Sequence, residues 1–80
     1  MKIGEVVKLL NEDYPSISIS RIRFLEKEGL IKIRRTKGGT REISESNIVT
    51  LKQILNLQEN HYVSLKAIKN NPAILTKGVN

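Results

Sequence analysis

Arg34, Arg35, Lys37 and Arg41 crowd around Gly38-Gly39, and Lys32 makes five cations within ten residues. Closely spaced guanidinium and ammonium groups bind anions, above all phosphate, through charge-assisted hydrogen bonds. Catalytic chemistry is poorly supplied. There is no Cys, so disulfides, thiolate metal sites and thiol nucleophiles are excluded. His61 is the lone histidine and has no carboxylate cluster near it in the chain. Glu5, Glu12 and Asp13 read as helix solvation and capping groups. Gly38-Gly39 lacks the strand-to-helix context of a phosphate-cradling loop and reads as a hairpin turn. No nucleophile–base pair, metal cluster or cofactor loop emerges, so neither an enzyme nor a cofactor is expected.

The elements that must position these cations can be read from apolar spacing. Ile3, Val6, Val7 and Leu10 mark one face of a first helix, about residues 2–11. Pro15 ends the helical reading of the polar stretch that follows. Ser18 is a good N-cap for a second helix at 19–28, and Gly29 suits its left-handed terminus. At about 100° per residue, Ser20, Arg23, Phe24 and Lys27 point away from the Ile22–Leu25 side. Ile31 and Ile33 alternate with Lys32 and Arg34, and Thr36-Lys37-Gly38-Gly39 is a turn signal. Residues 30–43 therefore predict a hairpin that must pack on the helices to be stable. Ser44 caps a third helix at 45–60 with an Ile48, Leu51, Ile54, Leu55 stripe. Ser64 caps a short fourth helix that turns Leu65 and Ile68 inward.

The chain has 80 residues and 39% apolar composition, consistent with one domain. A domain this small buries only roughly 60–65% of its unfolded surface, so its core is marginal. Aromatic residues are scarce (Tyr14, Phe24 and Tyr62), so that core must be aliphatic. Net charge is +6, and residues 31–43 hold five cations against Glu42 alone, which accounts for +4 of it. That excess points to an anionic partner. No apolar run approaches a membrane span and no secretory leader is apparent, so a cytoplasmic, nucleoid-associated protein is expected.

The predicted order is mainly α with a small β-hairpin: a winged helix-turn-helix of four helices and a two-stranded wing. Such a layout suits B-DNA, with a helix in the major groove and a basic hairpin on the flanking backbone. The wording of the sequence goes further. Ile3-Gly4-Glu5-Val6, then Ile22-Arg23-Phe24-Leu25-Glu26-Lys27-Glu28-Gly29-Leu30-Ile31, resembles the MerR family of bacterial transcription regulators. Arg35, Gly39 and Arg41 fit that family's wing, and Ser44 with Ile48 and Leu51 fits its third helix. Ser64-Leu65-Lys66-Ala67-Ile68 fits its fourth helix, so the resemblance covers about residues 2–70. The segment His61 to Lys66 looks closest to the actinobacterial FtsR-like branch.

This resemblance implies a recognition helix at 19–28, a first wing at 31–43 and a second wing at 61–64. By position, Arg23 and Phe24 would lie at the DNA surface, and Arg41 would face phosphate at the base of the first wing. The expected DNA-binding set is Ser20, Arg21, Arg23, Phe24, Lys27, Arg34, Arg35, Lys37, Thr40, Arg41, His61, Tyr62 and Lys66. Phe24 either touches DNA or packs under the wing. Arg23 either touches DNA or pairs with a nearby Glu. His61 either packs or touches phosphate. The family's two adjacent tyrosines are Phe24 and Leu25 here, and its wing tyrosines are Thr40 and Ile43. Much of the phosphate grip must then come from Arg and Lys.

Residues 1–71 are expected to form the DNA-binding domain. The tail, 72–80, is too short for the family's long dimerisation helix, though it is a candidate start of one. Either the chain is the DNA-binding part of a longer protein, the reading preferred here, or it is a stand-alone module. Double-stranded DNA is the expected partner, with a homodimer in a full-length form and none or a weak one in this chain. Two alternatives remain at this point. One is an excisionase-like architectural DNA-binding factor. The other is a protein-interaction module using the third helix and the Ile74-Leu75 tail.

Overall fold

The structure is a computed structural model that describes residues 1–61 and 63–71. Its elements run α1 (Ile3–Leu10), α2 (Ile19–Lys27), β1 (Arg34–Arg35), β2 (Arg41–Glu42), α3 (Glu45–Asn60) and α4 (Leu65–Asn70). The predicted class holds, with four helices and a two-stranded antiparallel wing among the described residues. Tyr62 and the 72–80 tail lie outside the described residues.

Helices α2, α3 and α4 start where a serine side chain can satisfy a free amide. Ser18 accepts from the Arg21 amide at 3.0 Å, and Ser64 accepts from the Ala67 amide at 3.1 Å. Ser44 accepts from the Asn47 amide at 3.1 Å while Asn47 Oδ1 accepts from the Ser44 amide at 3.0 Å, a reciprocal box. The end of α2 is equally defined. Gly29 adopts φ 78°, its amide donates to the Glu26 carbonyl, and the Leu30 amide donates to the Leu25 carbonyl. That pairing is a Schellman terminus, and it turns the chain sharply out of the helix.

The apolar stripes converge as their spacing predicts. Val6 and Leu10 of α1, Ile22 and Leu25 of α2, Leu51, Ile54 and Leu55 of α3, and Ile68 of α4 are buried. Ile17, Ile31 and Ile43 complete this core from the connections. Tyr14, Ile48, Leu57 and Leu65 pack at its edge. No polar or charged residue is buried among the described residues. Two polar contacts fasten the helix-turn-helix to the end of α3. Ser16 Oγ donates to Glu59 Oε2 at 2.6 Å, and Arg21 Nη2 donates to Gln58 Oε1.

The wing ladder is shorter than the predicted 30–43 hairpin. Only Arg34 with Glu42 and Arg35 with Arg41 pair across it. Its turn is as expected: the Gly39 amide bonds to the Thr36 carbonyl, the Thr36 amide to the Thr40 carbonyl, and Gly39 takes φ 84°. Below the ladder the chain leaves the pairing because core packing competes for it. Ile31 is buried and Ile33 is packed against the core. The Lys32 carbonyl accepts from Asn47 Nδ2 at 2.8 Å. Ile43, also buried, pairs instead with the first residue. Its amide donates to the Met1 carbonyl at 2.7 Å, and the Met1 nitrogen donates to the Ile43 carbonyl at 2.9 Å.

Candidate nucleic-acid interface

Ile22 and Leu25 anchor α2 to the core, and this decides which side chains remain outside. Ser20, Arg23, Phe24 and Lys27 are all exposed, as the helical spacing predicts. Arg23 makes no ion pair among the described residues, which leaves its guanidinium available on that face. Phe24 keeps 46% of its surface exposed. It does not tuck under the wing. It lines a shallow groove of about 280 Å³ with Glu28, Leu30, Leu65, Lys66 and Lys69.

That groove shows what borders α2 on one flank. Lys69 Nζ binds Glu28 Oε1 at 3.0 Å, tying α4 to the end of α2. The opposite flank carries Glu26, which reaches the wing. Glu26 Oε1 accepts from Arg41 Nε at 2.8 Å and from Arg35 Nη2 at 3.3 Å. By helical rotation Arg23, Lys27, Ser20 and Phe24 lie in sequence between the Glu26 and Glu28 directions. The exposed face of α2 is thus bracketed by a basic hairpin and by the α4 segment with exposed Lys66.

The remaining expected residues fall into three groups. Arg34, Lys37 and Thr40 are exposed on the wing. Arg35 is half-exposed and also donates to the Gly39 carbonyl at 3.3 Å, bracing the turn. Arg41 sits at the wing base as the resemblance implies, but its Nε is engaged by Glu26 and only 21% of its side chain is exposed. Arg21 is turned inward, half-buried against Gln58, and its Nε is buried without a partner. Its place on the helix, next to Leu25 in rotation, is the signal that could have shown this. His61 is exposed where α3 ends, and none of the described hydrogen bonds joins it to α2. Tyr62 is outside the described residues.

Two substitutions relative to the family pattern gain a structural reason. Leu25 and Ile43, which stand at family tyrosine positions, are buried in the core. As Leu25 and Ile43, both side chains serve the core. Glu26 is the residue that sequence reasoning left without a role, although it belongs to the quoted motif.

No solved structure matches the chain. Among curated proteins, an uncharacterized HTH-type transcriptional regulator of Mycobacterium tuberculosis is 45% identical over 69 residues. A regulator of the same description from Mycobacterium bovis shows the same identity over the same length. The match takes in 86% of this chain but 28% of each relative. Residues 1–71 match the family of MerR HTH regulatory proteins. With that span matched, and with the helix-turn-helix and wing in place, the chain belongs to the MerR HTH family, as a DNA-binding domain of transcription regulators rather than an enzyme.

Proposed function

We propose that residues 1–71 bind double-stranded DNA with α2 in the major groove and the wing on the flanking backbone. The observation that carries this reading is the row of Arg23, Lys27, Ser20 and Phe24, exposed on α2 between the basic wing and α4. Arg23 is the best placed to meet base edges, directly or through water. Arg34, Lys37, Arg35 and Thr40 on the wing, with Lys66 on α4, supply phosphate contacts and most of the affinity. The proposed second wing begins at His61.

A module of this size covers roughly 600–1,000 Å² of protein surface on DNA. That area favours two copies on a two-fold-related site. The relatives are more than three times as long as the matched segment, which supports a homodimer in a longer form of this protein. The wording of His61 to Lys66 supports placing the chain in the FtsR-like branch. No helix among the described residues is long and apolar enough to cross a membrane. A DNA-binding role assigns the protein to the cytoplasm, on the nucleoid.

Fluorescence anisotropy of the chain on a random-sequence duplex across salt tests the reading. Binding should fall steeply as salt rises, and Arg23→Ala should weaken it. Absence of binding at low salt and high protein concentration would sink the DNA assignment.

A further inference from the structure

The wing contains an electrostatic conflict. Arg35 and Arg41 are partners in register, so two guanidinium groups stand opposite each other. The ladder has just one other pair, Arg34 with Glu42. Like charges directly opposite one another push two strands apart, and a hairpin of this length has little else to resist them. The conflict is resolved from outside the wing. Glu26 Oε1, carried on α2, accepts from both guanidinium groups.

The two contacts are unequal. Glu26 and Arg41 side chains are 19% and 21% exposed, whereas Arg35 is 45% exposed. The shielded Arg41 contact is also the shorter one, at 2.8 Å against 3.3 Å. Salt therefore weakens the Arg41 contact less than the Arg35 contact. Through Arg41, Glu26 holds β2, and through Arg35 it holds β1. One carboxylate on the helix thus ties down both strands of the wing.

We propose that Glu26 is a positioning residue for sequence discrimination. By fastening both strands it sets the angle between α2 and the wing before DNA arrives. Only duplexes that fit both elements at that angle gain the full set of contacts. The proposal rests on the DNA-binding reading above. Glu26 also competes with phosphate for Arg41 and, less strongly, for the more exposed Arg35, so it lowers affinity for arbitrary DNA while raising selectivity, a form of discrimination by suppression of wrong partners.

Two substitutions separate charge from reach. Glu26→Gln keeps the length and removes the charge. Glu26→Asp keeps the charge and withdraws the carboxylate by one carbon–carbon bond, about 1.5 Å. Arg41→Lys, which keeps the charge and lacks Nε, serves as the third variant and reads the same contact if a Glu26 variant fails to fold. Circular dichroism confirms that each variant compared is folded.

The probes are a duplex selected by the wild-type chain from a randomised pool and a shuffled duplex of the same composition. Anisotropy is followed from about 50 to 200 mM salt. Glu26→Gln should bind the shuffled duplex about three- to tenfold more tightly. Its log–log salt slope should steepen by about 0.9 for each guanidinium released to phosphate. Its preference for the selected duplex should fall at least about fivefold. Glu26→Asp and Arg41→Lys should lose that preference with the shuffled duplex changed by less than about twofold. A preference retained in every folded variant overturns the proposal, as does an equal gain by Glu26→Gln on both duplexes. A selection that enriches nothing, from a chain that still binds DNA, overturns it too. A wild-type chain that binds no duplex fails the DNA reading itself.

Discussion

The Leu30 amide donates to the Leu25 carbonyl at 3.0 Å, with Gly29 between them at φ 78°. A buried residue of α2 and the first residue of the path to the wing are thereby locked together. The corner depends on a left-handed residue. Gly29→Ala places a Cβ in that conformation, which costs about 1 kcal/mol. No neighbouring atom lies within 4 Å of that Cβ, so the loss is conformational rather than steric. Urea unfolding should show Gly29→Ala less stable by about this amount and Gly29→Asn less affected, since Asn tolerates the left-handed region better.

The Glu26–Arg41 contact should also register in stability. Both side chains are about four-fifths shielded from solvent. A double-mutant cycle on Glu26→Ala and Arg41→Ala should give a coupling of about 0.5–1 kcal/mol at low salt. The coupling should shrink as salt is added. A cycle closing at zero would remove the contact from the stability of the wing.

Arg23 and Lys27 offer the opposite behaviour. Both are exposed on α2 and make no ion pair among the described residues. Arg23→Ala and Lys27→Ala should leave thermal unfolding within about 0.5 kcal/mol of wild type. DNA binding should weaken nonetheless. If Arg23 reads a base edge, its loss costs about 1–3 kcal/mol on a selected duplex and less on a shuffled one.

Ile68 tests how α4 is held. It is fully buried, and α4 has only six residues, so its own helical stability is slight. Ile68→Ala removes the main apolar anchor and should cost about 2–4 kcal/mol. In a domain this small that is a large part of the total. Lys69→Ala should cost much less, because its pair with Glu28 is substantially exposed.

Much of this architecture was legible in the chain because its signals are local. Ser18, Ser44 and Ser64 cap helices through hydrogen bonds spanning three residues, and such spacing can be read directly. The exposed face of α2 follows from placing Ile22 and Leu25 inside. Contacts between distant residues were not legible in this way. Glu26 meets Arg35 and Arg41 at separations of 9 and 15 residues, and nothing in the spacing selects it over Glu28. The contact of Arg21 with Gln58 was not legible from its type, which suits DNA, but follows from its angular position beside Leu25. The wing was overextended in the reading because alternation at Ile31 and Ile33 describes core packing as well as strand pairing.

The pairing of Met1 with Ile43 has a consequence for the order of assembly. Its two hydrogen bonds join residues 42 positions apart and enclose α1, α2 and the wing. Closing so long a loop is entropically costly, and contacts of this range form slowly unless earlier structure has already shortened the distance. The caps, the Schellman corner and the tight turn are local and can form first. During synthesis from the N-terminus, Met1 has no partner until residue 43 has been added. The Met1–Ile43 pairing therefore completes after the local elements it encloses.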